Sequence, residues 1–193
     1  MTINRASAPP TRNWLVPLVL VGVMWVAEIV DAILPYNMDQ HGIRPRSDEG
    51  LLGIAAAPFL HGGFAHLIAN TSAFVILGLL VVWTSGRYLA VTIGIAVLGG
   101  LGVWLVAAPN SVHIGASGLV YGYAAFLVAW GVLTRKLRNL LIAVAVILVY
   151  GGIVIGVLPG QDGVSWQGHL FGAIAGAVMA FWLNRRRQPA TRR

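Results

Sequence analysis

The residues that could do chemistry are few, and each sits at the start of an apolar stretch. Ser117 lies in Gly115-Ala116-Ser117-Gly118, and His169 in Gly168-His169-Leu170-Phe171-Gly172. His66 and Asn70 stand four apart at the head of a third such stretch. A serine hydroxyl is a weak nucleophile until a base takes its proton. A neutral histidine can take that proton and later hand it to a leaving amine. Acyl transfer also builds negative charge on the substrate oxygen, which calls for preorganised donors. His66 and Asn70 share one helical face and offer a ring N–H and an amide N–H. The backbone N–H of Ser117, at a helix start, has no intrahelical partner. Ser117 and His169 therefore read as a Ser–His dyad, with His66, Asn70 and Gly115 grouped as oxyanion and supporting residues. Tyr121, one turn after Ser117, would either stack on the imidazole or fill the core. Each motif alone is a weak signal, because small residues at a helix start also serve close packing.

The composition says what must position these groups. The chain has 193 residues, 58% apolar and 10% charged, with a mean hydropathy of +0.79. Soluble domains carry about 25% charged residues, so a membrane domain is expected and no appended soluble domain. There is no cysteine, which excludes disulfides, thiol catalysis and thiolate-held metal. No His-Glu-x-x-His motif occurs, and neither a metal nor a cofactor is expected.

The chain divides into a polar tail over residues 1–12, a membrane domain over 13–184 and a basic tail over 185–193. The apolar runs predict six spans: Trp14 to Leu34, Phe64 to Thr84, Tyr88 to Val106, Gly115 to Leu133, Asn139 to Leu158 and Trp166 to Asn184. The first follows Arg5 and Arg12 like a signal peptide, but it is too long and lacks a cleavage site, so a retained span is expected. Glu28 and Asp31 fall near its far end, where the interface would hydrate them. The long connection after it holds a short apolar run, Leu51 to Leu60, which suggests an interfacial or re-entrant element. The outer half of the fifth span carries Gly151, Gly152 and Gly156, which either weaken the helix so that this half can tilt or only permit close packing.

Charge placement orients the bundle. With both termini cytoplasmic, 13 basic residues divide so that only Arg44 and Arg46 lie outside, a strong positive-inside asymmetry. The net charge of +7 thus needs no nucleic-acid partner. Spans two, four and six then all begin at the outer face, which brings His66, Asn70, Ser117 and His169 to one depth. Gly118 with Gly122, and Gly168, Gly172 and Gly176, would let spans four and six approach closely. No acidic residue stands where it would orient His169; Asp162 is expected in the outer loop. His61 would serve a structural hydrogen bond at the mouth of the site. His41 and His113 read as ordinary loop residues.

With these motifs in order on six spans, the all-α chain resembles the rhomboid intramembrane serine proteases of the bacterial six-span type. The matching residues are His66-Leu67-Ile68-Ala69-Asn70, Gly115-Ala116-Ser117-Gly118 and Gly168-His169-Leu170-Phe171-Gly172-Ala173-Ile174-Ala175-Gly176. The resemblance implies Ser117 as nucleophile, His169 as base, His66 and Asn70 as oxyanion donors, and Tyr121 as support for the imidazole. It implies a hairpin in the outer leaflet for the first loop, a multi-pass protein of the bacterial plasma membrane, and single-span or multi-span membrane proteins as substrates. Many rhomboids carry a Trp-Arg pair in that loop where this chain has Leu52-Gly53. The alternative is a proteolytically inactive rhomboid-like protein that binds membrane clients, a role that needs neither Ser117 nor His169. A transporter is disfavoured, since no internal repeat and no deep intramembrane charge is seen.

Overall fold

The computed structural model describes residues 13–161 and 163–186. The tail 1–12, Asp162 and residues 187–193 lie outside the described residues, and with them most of the basic C-terminal tail. Among the described residues seven α-helices follow one another: α1 (Val16–Ile33), α2 (Asp48–Ala56), α3 (Phe64–Ser85), α4 (Tyr88–Val106), α5 (Ser117–Thr134), α6 (Leu137–Tyr150) and α7 (Trp166–Arg185). Among the described residues the one extended pairing is an isolated antiparallel bridge between Ile43 and His113.

The helices are apolar on nearly every side, as lipid-immersed helices are. On α1, Leu18, Val19, Val26 and Ile29 point outward, while Met24 and Glu28 are buried. Among the described residues, α1, α3, α4, α5 and the stretch Leu137–Val157 are long and apolar enough to cross a membrane. Helix α7 is of the same length, 20 residues, but its first turn carries Gln167 and His169, which lowers its hydropathy. The protein is an all-α membrane bundle.

The core forms where α5 is enclosed by its neighbours. Phe74, Leu77, Tyr123, Phe126 and Trp130 are fully buried there. The Tyr123 hydroxyl bonds to Thr92 at 2.8 Å and donates to the Tyr88 hydroxyl at 2.9 Å, which joins α5 to α4 without a stranded polar group.

Helix α5 lies against α7 through glycines. A β-carbon on Gly172 would overlap the Gly118 carbonyl, and one on Gly176 the Gly122 carbonyl. The close approach expected of the helices that carry Ser117 and His169 is present, and it is backbone against backbone.

The apolar stretch expected as the fifth span extends over Leu137–Val157; within it α6 ends at Tyr150 and continues as a 3-10 helix over Gly151–Val157, since the Gly151-Gly152 pair weakens the α conformation. One sequence expectation is corrected. Glu28 is not hydrated at an interface; it is 5% exposed.

The short apolar run of the first loop becomes α2 and a 3-10 turn, Ala57–Phe59. Ser47 caps α2 by accepting the Gly50 N–H. Lacking a Trp-Arg pair at Leu52-Gly53, this loop is pinned from elsewhere. The Arg46 guanidinium donates to the carbonyls of Leu105 and Ala107, each at 2.8 Å, at the end of α4. The Trp104 indole donates to the Ser47 carbonyl.

Candidate active site

Ser117 is the first residue of α5, and the chain ahead of it is fastened on both sides. Gly115 takes φ +103°, which favours glycine, and its N–H donates to the Ala57 carbonyl at 2.8 Å. The next N–H, of Ala116, donates to His61 Nε2 at 3.3 Å. His61 lies in the loop before α3. Burial, with the His66 imidazole beside it, lowers its pKa to about 4, so the ring is neutral and accepts. The structural hydrogen bond expected of His61 is therefore made to the residue next to Ser117.

His169 stands in the first turns of α7. Its Nε2 is 2.9 Å from Ser117 Oγ, and its Nδ1 is 2.9 Å from the Gly156 carbonyl. A carbonyl only accepts, so Nδ1 carries the hydrogen and Nε2 presents its lone pair to the serine. This is the tautomer a base requires. The Tyr121 ring lies parallel to the imidazole, with centroids 4.0 Å apart and planes within 6°. The Tyr121 hydroxyl donates to the Ile153 carbonyl at 2.7 Å, so the 3-10 helix holds both the tyrosine and the histidine. Stacking, the first of the two readings open for Tyr121, is the one observed.

His66 and Asn70 lie on α3 facing the same space. The His66 ring packs over Gly115, where a β-carbon would come within 2.9 Å of Nε2. Its edge meets His61, with ring centroids 5.1 Å apart. Asn70 is buried, and its amide donates to the His66 carbonyl at 2.9 Å, which leaves a second N–H on the same nitrogen. A cavity of about 720 Å³ joins these groups, lined by His66 and Asn70 on one side, Ser117 and Tyr121 at the base, and Ile153 and His169 opposite. All six residues singled out from sequence thus meet around one space or border it directly.

Two residues were misjudged. From sequence Gly156 reads as a helix-weakening or a close-packing glycine. It supplies the carbonyl that orients His169, and a β-carbon there would strike the Tyr121 hydroxyl and stand 3.0 Å from His169 Nδ1. His113 was read as an ordinary loop residue. It is buried and forms part of the cavity wall. His41, by contrast, is exposed and pairs with the Tyr36 hydroxyl.

An all-helical membrane bundle with a serine and a histidine paired across two glycine-packed helices defines a narrow class of protein. The model of the rhomboid domain matches residues 48–186. A protein of Mycobacterium tuberculosis, uncharacterized, is 43% identical over 176 residues, spanning 86% of this chain and 73% of its own length. An uncharacterized protein of Mycobacterium leprae is 38% identical over 176 residues, spanning 86% and 70%. RHOMBOID-like protein 4 of Arabidopsis thaliana is 26% identical over 165 residues, 76% of this chain and 40% of its own length. The chain belongs to the rhomboid family and is a multi-pass integral membrane protein.

Proposed function

We propose that this protein is an intramembrane serine endopeptidase that cleaves membrane proteins in or near their transmembrane segments. The observation that carries this reading is the 2.9 Å contact of Ser117 Oγ with His169 Nε2, in a ring whose Nδ1 is tied to a carbonyl. A client-binding protein would need neither the pair nor its tautomer.

In this reading Ser117 Oγ attacks the scissile carbonyl carbon while its proton passes to His169 Nε2. The imidazolium keeps its Nδ1–H on the Gly156 carbonyl and its face against Tyr121. The substrate oxygen takes up negative charge, met by the Ser117 N–H at the start of α5 and by donors from His66 and Asn70. His169 then protonates the leaving amine, and water attacks the acyl-serine by the reverse proton path. Helix α7 is the sixth span, both termini are cytoplasmic, and the site opens toward the outer face of a bacterial plasma membrane. The substrates are single-span or multi-span membrane proteins that share the bilayer with it.

The test is purified protein in lipid with a labelled single-span substrate, beside Ser117→Ala. Cleavage by the native protein alone is expected. Equal cleavage by Ser117→Ala would remove the serine from the mechanism.

A further inference from the structure

The nucleophile and the base stand on different helices, and glycine contacts alone do not set how far one slides along the other. At the outer end of the pair there is a second histidine that the proposed chemistry leaves unused. His113 precedes Ser117 by one turn of chain. Its backbone forms the bridge to Ile43, with His113 N–H to the Ile43 carbonyl at 3.0 Å and Ile43 N–H back to His113 at 2.9 Å. Its ring reaches across to α7, where Nδ1 is 2.6 Å from Ser165 Oγ. Ser165 is the N-cap of α7: its Oγ accepts the Gly168 N–H at 3.1 Å, and its carbonyl accepts the His169 N–H itself. The other ring nitrogen, Nε2, is 2.8 Å from Ser111 Oγ.

The direction of every bond in this chain can be worked out. The Ser111 hydroxyl donates to the Ala108 carbonyl at 2.6 Å, so toward His113 it must accept. Nε2 therefore carries the hydrogen, and Nδ1 is the lone pair that takes the Ser165 hydroxyl proton. Ser165 Oγ in turn has a lone pair for Gly168. Donors and acceptors match from Gly168 through Ser165, His113 and Ser111 to Ala108. Burial lowers the His113 pKa, in keeping with a neutral ring. A chain of matched donors and acceptors, with the His113 ring buried and Ser165 half-buried, favours one geometry, because a slip strands a nitrogen of the buried imidazole.

We propose that His113 is a positioning residue that sets Ser117 and His169 in register by tying the segment ahead of α5 to the N-cap of α7. The inference rests on the serine-protease reading. Its action runs through Ser165 and the first turn of α7, not through contact with substrate. Asn at this position retains an acceptor near Nδ1, whereas Phe fills the space of the ring and offers none.

The experiment is the rate at which a small soluble fluorophosphonate labels Ser117 in the full chain, resolved into kinact and KI, with thermal unfolding recorded beside it. Native labelling that vanishes in Ser117→Ala supports the underlying serine reading; its absence in the native chain overturns that reading and this inference with it. Given native labelling, His113→Phe is expected to lower kinact by about 10- to 100-fold, as sub-ångström to ångström misplacement does, with KI little changed. His113→Asn should recover most of the loss. Ser165→Ala should lower kinact similarly, Ser165→Thr should not, and Ser165→Ala with His113→Phe should lose no more than one of them alone. Native kinact in a folded His113→Phe, failure of Asn to rescue, or multiplying losses in the double variant would each overturn the proposal. Should His113→Phe not fold, equal kinact in Ser165→Ala and Ser165→Thr would overturn it as well.

Discussion

The His169 ring is held by two uncharged groups, the Gly156 carbonyl at 2.9 Å and the Tyr121 face at 4.0 Å. Both restrain the ring's orientation, and the carbonyl alone sets the tautomer. A stacked pair contributes about 0.5–1.5 kcal/mol beyond its buried area, which corresponds to about two- to tenfold in rate if it is needed in the transition state. Ser117→Ala and His169→Ala are each expected to abolish cleavage of a membrane substrate while the protein still folds. Because the two act as one unit, the double variant should lose little more than either single one; assays of residual turnover in all three check this. Gly156→Ala is the sharper residue-level prediction. The added methyl must displace the Tyr121 hydroxyl and press on His169 Nδ1, so turnover should fall about tenfold or more. The Ser–His pair could be anticipated from sequence because its chemistry depends on residue type. The part played by Gly156 could not, because a carbonyl belongs to every residue and only the fold says which one points at the ring. His113 escaped for a related reason: its partner Ser165 is 52 residues away, and nothing local marks the pair.

At the scale of elements, the site depends on two helices meeting without side chains between them. Gly172 and Gly176 sit against the carbonyls of Gly118 and Gly122 so closely that a β-carbon would overlap them, while one on Gly118 would stand 3.3 Å from the Gly168 carbonyl. Gly172→Ala should therefore push α7 from α5 and lower both thermal stability and turnover. Gly118→Ala should be milder in stability, since a shift of a few tenths of an ångström accommodates it. Thermal unfolding in detergent, read beside turnover, compares the two; a Gly172→Ala protein as stable and active as native would show that the helices have slack. The glycine repeats announced this contact in the sequence, since their spacing places them on one face. The end of α6 was less legible. Apolar character runs unbroken to Leu158, but hydropathy does not distinguish an α-helix from a 3-10 helix. The burial of Glu28 was hidden likewise, because it comes from the packing of α1 in the bundle and not from residues near it in the chain.

At the scale of the whole molecule, charge placement predicts orientation and the cavity walls predict the route of entry. Reporter fusions after residue 193 and in the loop near Gly163 should report opposite sides of the membrane, the first cytoplasmic, from the positive-inside asymmetry. A C-terminus on the outer side would put the serine at the wrong face for the proposed reading. Entry follows from the shape of the cavity. It is bordered on one side by Ala69, Asn70 and Ala73 of α3 and on the other by Ile153 of the 3-10 helix. In the proposed reading, a membrane-spanning substrate passes between such walls to reach Ser117. The α3 wall belongs to a 22-residue helix whose Leu67, Phe74 and Leu77 are fully buried. The opposite wall is seven residues of 3-10 helix in which no residue is buried. A 3-10 run of that length is uncommon and often marks a hinge. A β-carbon on Gly151 or Gly152, where it joins α6, would touch nothing within 4 Å, so these two glycines are not needed for packing. They lower the helix propensity of the junction by about 1 kcal/mol each relative to alanine. The segment from Gly151 to Val157 is thus the wall expected to move aside, about the Gly151-Gly152 junction. Replacing both by alanine stiffens the junction without a clash. Cleavage of a membrane-spanning substrate by Gly151→Ala with Gly152→Ala should slow several-fold, while hydrolysis of a small soluble ester stays near native. Equal loss on both substrates would place the defect at the dyad, and unchanged cleavage of the spanning substrate would mean that entry does not bend this junction.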